Sequence, residues 1–594
     1  MAILILLIQI LMINVSCGKS NDEMNTTLIG SCTHRIFCND QVLSAIQNAD
    51  IYNTLKEFLD MSIMEGETVD SILKSFNELM KKHNGKPSKY DMLAFLESYF
   101  HKLQLLEIWR PDDYKDTPKI ISQIKNVELR TMARKIIETW PRLGRKIRKT
   151  AKDSPESHTL IYVPNGFIIP SGKFEEYHYW DMYWTARGLL LSDMDKTVRG
   201  ILTNHCYLLK KFGFIPTGGR IYYINRSNPP LLMKLAREYL DKTGDLDWLR
   251  PNIPLLEKEL FFWINKRFTI VTINKKTYSL AQYYVNSTGP RPEEYHTDLK
   301  LAALYEHDVS KENFYNELKS AAESGWEISN RFFVSPKQAK IRNTSIISVS
   351  KVIPADLNGI LYGAFTDMAQ MFSKIGQLHN KTAWTKRAEE LKKAINSVLW
   401  DEEDGIWYDY NLITKRRVRI FACSNLVPLW TKVYDDDNQQ FIGKRVSEYL
   451  IRKEIVNYIG GIPASRESFS NWDYPFVYPH HQYIIVHGLK DTGEKQALEL
   501  MHTFVNNFLN ACLIGFKSTG MLYDRYHADI PGRFGGGRDY VRSAGFGSTS
   551  GVVLDFIDIY TTSGCKMERF NRNLKNIIVL LLIRCFNIYF RSYD

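Results

Sequence analysis

The chain has 594 residues, 44% of them hydrophobic and 24% charged, a balance that excludes wholesale disorder and leaves room for one to three folded units. Its formal charge of +11 arises from 77 Lys and Arg set against 66 Asp and Glu, interspersed without a long basic block, which argues against a nucleic-acid-binding surface. The excess reads as a solvated face plus a basic tail.

From the start of the chain, Ala2 to Val15 run apolar, broken only by Gln9 and Asn14, and give way to Ser16-Cys17-Gly18. That run is too short to span a membrane comfortably and reads as a secretory signal peptide over residues 1–17, although it lacks the usual basic start. Secretion into an oxidising compartment fits Cys32 and Cys38, which are close enough to form a small loop. Cys206, Cys423 and Cys512 lie in apolar surroundings and read as buried thiols. Glycosylation acceptors at Asn25, Asn286, Asn343 and Asn380 fit the same compartment. A fifth, Asn225, is expected to stay unused because its neighbours look like site residues. No CxxC pair or His cluster proposes a metal site, and none is expected.

The first chemistry-bearing string is Phe174-Glu175-Glu176-Tyr177-His178-Tyr179-Trp180-Asp181-Met182-Tyr183-Trp184, and the second, far along the chain, is Asn471-Trp472-Asp473-Tyr474-Pro475. A lone Trp-Asp pair is most often core packing. Two, each inside a longer aromatic and acidic string, suggest a sugar site, since a pyranose offers an apolar face to an indole and hydroxyls to a carboxylate.

Between the strings, Met368, Met371, Phe372, Ile375 and Leu378, then Leu391, Ala394, Ile395, Val398 and Leu399, keep helical spacing and predict helices with one buried stripe. Strand-like alternation is scarce and short. Gly- and Pro-rich stretches at residues 214–220, 288–292 and 460–463 interrupt the helices, and the polar residues of interest fall in or beside them. A helical scaffold with its chemistry on connecting loops follows. Past the main unit, expected over residues 18–565, a basic and apolar tail covers 566–594, where Arg584 interrupts the run Ile577–Ile583 and makes membrane insertion costly. Ser563-Gly564-Cys565 with that tail loosely matches a lipid-anchor signal, so anchoring through the tail is an alternative to free secretion.

Pro170-Ser171-Gly172-Lys173-Phe174 running into Tyr179-Trp180-Asp181 resembles the first signature of the trehalases, and Asn471-Trp472-Asp473-Tyr474-Pro475 with Pro479 and Gln482 resembles the second. Between them, in the family's order, lie the 213–220 loop ending at Arg220, Arg226-Ser227-Asn228-Pro229-Pro230, Arg291-Pro292-Glu293 and Glu323-Ser324-Gly325-Trp326-Glu327. The resemblance implies an all-α fold, an (α/α)6 toroid of helical hairpins with site-bearing loops at one end. It also implies a cofactor-free inverting hydrolase that splits α,α-trehalose into two glucoses. By the same resemblance Lys173, Trp180, Asp181, Asn204, Arg220, Asn228, Arg291, Glu293, Gly325, Trp472 and Asp539 would bind the sugar. Glu327 falls on the position of the general acid and Asp524 on that of the general base.

Inversion needs two carboxyls about 6.5–9.5 Å apart with a water between. The family pattern has Asp at the first position and Glu at the second, so this chain exchanges the two. A general acid also needs a raised pKa, for which Trp326 is the adjacent candidate. Other departures are Lys173 for Arg, Thr217 for Asn, Phe476 and Tyr478 for Asn and Trp, Ser548 for Trp, and Arg538-Asp539 in a glycine run before Glu. These changes define the alternatives: a trehalase with reduced turnover, a secreted sugar-binding protein without catalysis, or a hydrolase of another small α-glucoside.

Overall fold

The computed structural model describes residues 32–172, 174–333, 347–536 and 545–563. The expected signal peptide, the tail, Cys565 and Cys585, and the expected acceptors Asn25 and Asn343 lie outside them.

Two kinds of helix alternate along the chain. In order they are α1 (Val127–Ile137), α2 (Tyr179–Leu191), α3 (Asp195–Phe212), α4 (Leu232–Thr243), α5 (Leu246–Arg267), α6 (Ala355–Lys374), α7 (Leu378–Val398), α8 (Val427–Trp430), α9 (Gln439–Arg452), α10 (Pro479–Thr492), α11 (Lys495–Thr519) and α12 (Gly547–Thr562). Four of the even-numbered helices, α2, α6, α10 and α12, bury residues on most of their faces, as α2 does from Tyr179 to Leu190 and α12 from Gly547 to Phe556. The odd-numbered ones mostly bury one stripe, such as Leu391, Ala394, Ile395 and Val398 in α7. A helix apolar all round has to sit inside, and one with a single stripe has to lie against it.

The even helices pack in sequence, α2 on α4, α4 on α6, α6 on α8, α8 on α10, α10 on α12 and α12 back on α2, with the odd helices outside. The expected (α/α)6 toroid is therefore formed and closed. Closure depends on two glycines: a Cβ on Gly188 would meet the Gly551 Cα at 2.6 Å, and one on Gly551 would meet the Trp184 carbonyl oxygen at 1.9 Å. No larger side chain fits without parting α2 from α12.

Short returns lead from each inner helix to the next outer one, so the longer segments entering the inner helices gather at the opposite end. Inner-helix N-termini, with their partial positive charge, point the same way. The stripe predicted around 368–378 ends early. Gly376, at φ +79°, breaks the chain between α6 and α7, and Leu378 opens an outer helix 63% exposed.

Helices Asp40–Asn48, Val69–Lys82 and Lys89–Tyr99 build a separate hydrophobic cluster that takes in Tyr222, Tyr223 and Tyr295 from the entering segments. Lys56 adds bonds to Glu176 (3.0 Å) and to the Tyr222 hydroxyl (2.8 Å), so this layer braces the loop end of the ring. Strands are short and antiparallel throughout the described residues. The pair that matters for the site joins Phe476–Val477 to Tyr526–His527, with Phe476 opposite His527 and Val477 opposite Tyr526. Cys32 and Cys38 form a disulfide, and Cys206, Cys423 and Cys512 are buried thiols. Among the described residues no helix is long and apolar enough to cross a membrane.

Candidate active site

Glu327 is placed by the end of a helix. Asp308–Ser324 stops at Gly325, whose φ of +74° is the left-handed conformation that glycine adopts freely. A Cβ there would come within 3.6 Å of the Trp180 ring and 3.9 Å of the Asn228 amide nitrogen, so Trp180, Asn228 and Gly325 share one wall. Two residues on, Glu327 itself adopts φ +41°, a conformation costing a non-glycine residue on the order of 1–3 kcal/mol and persisting only where its surroundings impose it.

Those surroundings are identifiable. Behind Glu327, Asn228 donates to the Glu323 carbonyl (3.2 Å), and Glu323 is held by Arg267 through two bonds of 2.7 Å. Ahead of it, the buried Asp473 accepts from the Ser329 hydroxyl (2.8 Å), the Asn330 amide (3.1 Å) and the hydroxyls of Ser465 (2.9 Å) and Ser470 (3.2 Å). Burial pushes the Asp473 carboxyl up to about 6 against the pull of those hydroxyl and amide donors. Arg331, fully buried, then forks onto Asp356 and Asp409. Trp326 stacks on His481 (4.1 Å, 18°) with Arg331 over its ring at 5.0 Å, so the expected apolar enclosure is in fact part of an aromatic and cationic stack.

Arg291 lies within electrostatic range of Glu327. It forks onto Asp298 at 2.7 and 3.1 Å. Burial opposes its charge, yet Asp298 and then Glu327 hold the guanidinium well above its ordinary range. Glu293, two residues away, pairs with Arg226 at 2.6 Å, and Arg226 lies over Tyr223.

Asp524, half-buried, sits on the turn before the strand Tyr526–His527. The neighbouring Arg525 is almost fully buried and donates to the Tyr478 hydroxyl (3.2 Å), its guanidinium 4.8 Å from the Phe476 ring. Tyr478 stacks flat on Trp472 (5.1 Å, 7°). Burial pushes the Tyr478 phenol well above its ordinary range; Arg525 pulls it back, and the carboxylates of Asp524 and Glu327 both add to the rise. The two acids, nearly 200 positions apart in the chain, are thus both within electrostatic range of one phenol. His480 joins Tyr478 to Trp180 with centroids 5.5 Å from each, completing an aromatic wall between the two halves. Asp181, at the start of α2, accepts from Ser548 (3.0 Å) and lies 3.5 Å from His178; burial raises its carboxyl pKa.

Buried polar atoms along this wall without a hydrogen-bond partner among the described residues include Trp180 Nε1, Asn228 Oδ1, Arg226 Nε, Glu293 Oε2 and His480 Nε2. Donors and acceptors set among aromatic rings suit a polyhydroxylated ring.

Of the residues expected to bind sugar, Trp180, Asn228, Gly325, Arg291 and Glu293 gather around Glu327, and Trp472 around Asp524. Lys173 and Asp539 lie outside the described residues. Asn204 and Arg220 require correction, because their side chains are engaged elsewhere. Asn204 is fully buried, with its amide bonded to the Asn165 backbone and side chain. Arg220 reaches Glu176 (3.3 Å), Asp60 (3.5 Å) and Thr159 (3.1 Å), where it joins the N-terminal layer to the ring. Sequence reasoning overlooked Arg226, which takes the position expected of Arg220. It also overlooked His480, His481 and Arg525 as site-forming, their one available signal being a place beside the second string or beside Asp524, and it read Asp473 as a sugar ligand where the structure makes it a clasp on Ser329 and Asn330. Asn225 is buried and accepts from Arg226 (3.0 Å), as expected of an unused acceptor.

Acids, arginines and aromatic rings on the entering loops of an (α/α)6 toroid suit one class of protein, that which handles carbohydrate. Within that class the family model for trehalase matches residues 50–561, and the chain belongs to the trehalase family. It is 38% identical to the trehalase of Tenebrio molitor over 534 residues, covering 90% of this chain and 96% of that protein. With the human trehalase it shares 36% over 542 residues, covering 90% and 91%. Among solved structures, the yeast neutral trehalase Nth1 superimposes with a TM-score of 0.53 at 20% identity, covering 67% of this chain and 75% of that one, and supports the fold. Membership associates the chain with trehalose hydrolysis as a class of reaction.

Proposed function

We propose that the protein hydrolyses α,α-trehalose to two glucoses with inversion, as a secreted enzyme needing no cofactor. Glu327, as the carboxylic acid, gives its proton to the oxygen joining the two anomeric carbons. Asp524, as the carboxylate, takes a proton from the water that attacks one anomeric carbon from the opposite face. The carbon–oxygen bond to the leaving glucose breaks as the new one forms, and solvent returns the proton from Asp524 to Glu327. Arg291 and the Arg226–Glu293 pair stand beside Glu327 to receive sugar hydroxyls, with Trp180 and Trp472 as apolar faces.

The observation that carries this reading is the trehalase family match over residues 50–561, within which the loop of Glu327 is fastened to Asp473 and the residue after Asp524 is bonded to Tyr478 of the same aromatic string. Incubation with trehalose tests it: glucose is released by the native chain and lost with Glu327→Gln and with Asp524→Asn. The exchanged lengths of the two acids favour one second reading, a secreted trehalose-binding protein without turnover. Calorimetric trehalose binding with no glucose release from the native chain would establish that reading instead.

A further inference from the structure

We infer that Tyr478 and Arg525 are a positioning pair that sets Asp524 against Glu327, a role resting on the reading of those two acids as the reacting groups. The antiparallel register pairs Phe476 with His527 and Val477 with Tyr526; carried one step further it sets Tyr478 opposite Arg525, where the guanidinium donates to the phenol at 3.2 Å. Arg525 also reaches the Asn471 carbonyl (3.4 Å), to which the Tyr478 hydroxyl donates at 2.5 Å. One buried nitrogen, Nη1 of Arg525, therefore ties the residue after Asp524 to both ends of the second aromatic string. The backbone reinforces it: the Ala528 amide donates to the Pro475 carbonyl (2.9 Å), and Gly535 donates to the Arg525 carbonyl (3.1 Å).

The opposite end of that string is fastened to Glu327. Asp473, one residue after Trp472, holds Ser329 and Asn330, and Tyr478 lies flat on Trp472. An unbroken path then runs from Glu327 through Ser329, Asp473, Trp472, Tyr478 and Arg525 to Asp524. An aspartate has one methylene fewer with which to reach its water than a glutamate, so its backbone has to be held closer. Both members of the pair are suited to that: the planar guanidinium, buried beside Phe476, holds its Nη1 in a fixed direction, and the phenol offers it an acceptor while its ring stays in the stack.

Kinetics on the full chain decide the matter. Tyr478→Phe keeps the stack and removes the acceptor; Arg525→Lys keeps the charge and removes the rigid plane that aims Nη1. Each is expected to lower kcat for trehalose by tenfold to about a hundredfold, the cost of misplacing a reacting group by up to about 1 Å, with KM within twofold and a displaced basic-group limb in the pH profile. The double variant is expected to be no slower than the slower single one, because both break the same link. If either variant fails to fold, as judged by its thermal melt, the other carries the test. Unchanged kcat and pH profile in a folded variant, with Asp524→Asn still inactive, would overturn the pair's role and leave the functional reading intact. A native chain that releases no glucose, or an active Asp524→Asn, would overturn that reading and the proposal with it.

Discussion

Exchanging the two acids tests whether their lengths are matched to one another. Glu327→Asp leaves two short acids and widens the gap between carboxyls by one methylene, about 1.5 Å; Asp524→Glu leaves two long ones and narrows it by as much. A misplacement of about 1 Å costs on the order of a hundredfold in rate, or roughly 2.7 kcal/mol of transition-state stabilisation. Each single variant should therefore fall about a hundredfold in kcat/KM for trehalose. The double variant restores the gap and should recover most of that loss, giving a coupling of about 4 kcal/mol or more between the two sites. Glu327→Asp should not melt lower than the native chain, because aspartate tolerates the left-handed backbone at φ +41° better than glutamate does. Steady-state glucose release by the four proteins, with thermal melts alongside, completes the cycle. Strictly additive losses would refute the reasoning, since they would mean that the two carboxyls do not act across one shared distance.

Three further outcomes concern the scaffold. Glu259, fully buried on α5, accepts from the Tyr179 hydroxyl (2.6 Å), and burial pushes its carboxyl up to about 8. The unfolded chain loses that proton near pH 4, so folding stability should decline as pH rises from about 4 through 8. Glu259→Gln should remove that decline and gain on the order of 2 kcal/mol at pH 7, read from urea midpoints at several pH values. Asp555 on α12 accepts from Arg187 (2.8 Å) and His487 (2.6 Å), and although burial opposes its charge these partners hold the carboxyl well below its usual range. Asp555→Asn should cost about 3 kcal/mol at neutral pH by uncoupling a buried charge from its partners, a loss that shrinks as acid protonates the native carboxylate. Gly551→Ala, which drives a methyl group into the Trp184 carbonyl, should cost about 2–3 kcal/mol or more by forcing α2 and α12 apart, seen as a lowered melting temperature.

The helical class was legible because apolar residues recur at helical spacing while Gly and Pro collect between the runs, and inner helices differ from outer ones in how much of their surface is apolar. Ring closure was not, since it depends on Gly188 meeting Gly551 across more than 360 positions, a contact that no local pattern announces. Within the site, Trp180, Arg291, Glu293 and Gly325 could be placed because each stands in a dense string. Arg220 and Arg226 could not be told apart: both follow the same Gly-rich loop, and which one turns toward Glu293 is decided by Glu176 and Asp60, already waiting for the other. Asn204 misled for a similar reason, as a buried amide on a helix looks alike whether it meets a ligand or, as here, the Asn165 backbone. Asp473 reads as half of a Trp-Asp sugar motif, yet its oxygens are bound by serine hydroxyls and a backbone amide, and its work is to hold the loop that carries Glu327.

The anomers of newly released glucose test the two-carboxyl account most directly. Proton NMR within the first minutes of trehalose cleavage by the native chain should show α- and β-glucose forming in equal amounts, the β-anomer from the carbon attacked by water and the α-anomer from the leaving sugar. Release of α-glucose alone, or no release while trehalose is bound, would contradict an attack by water activated at Asp524 opposite a leaving group protonated by Glu327.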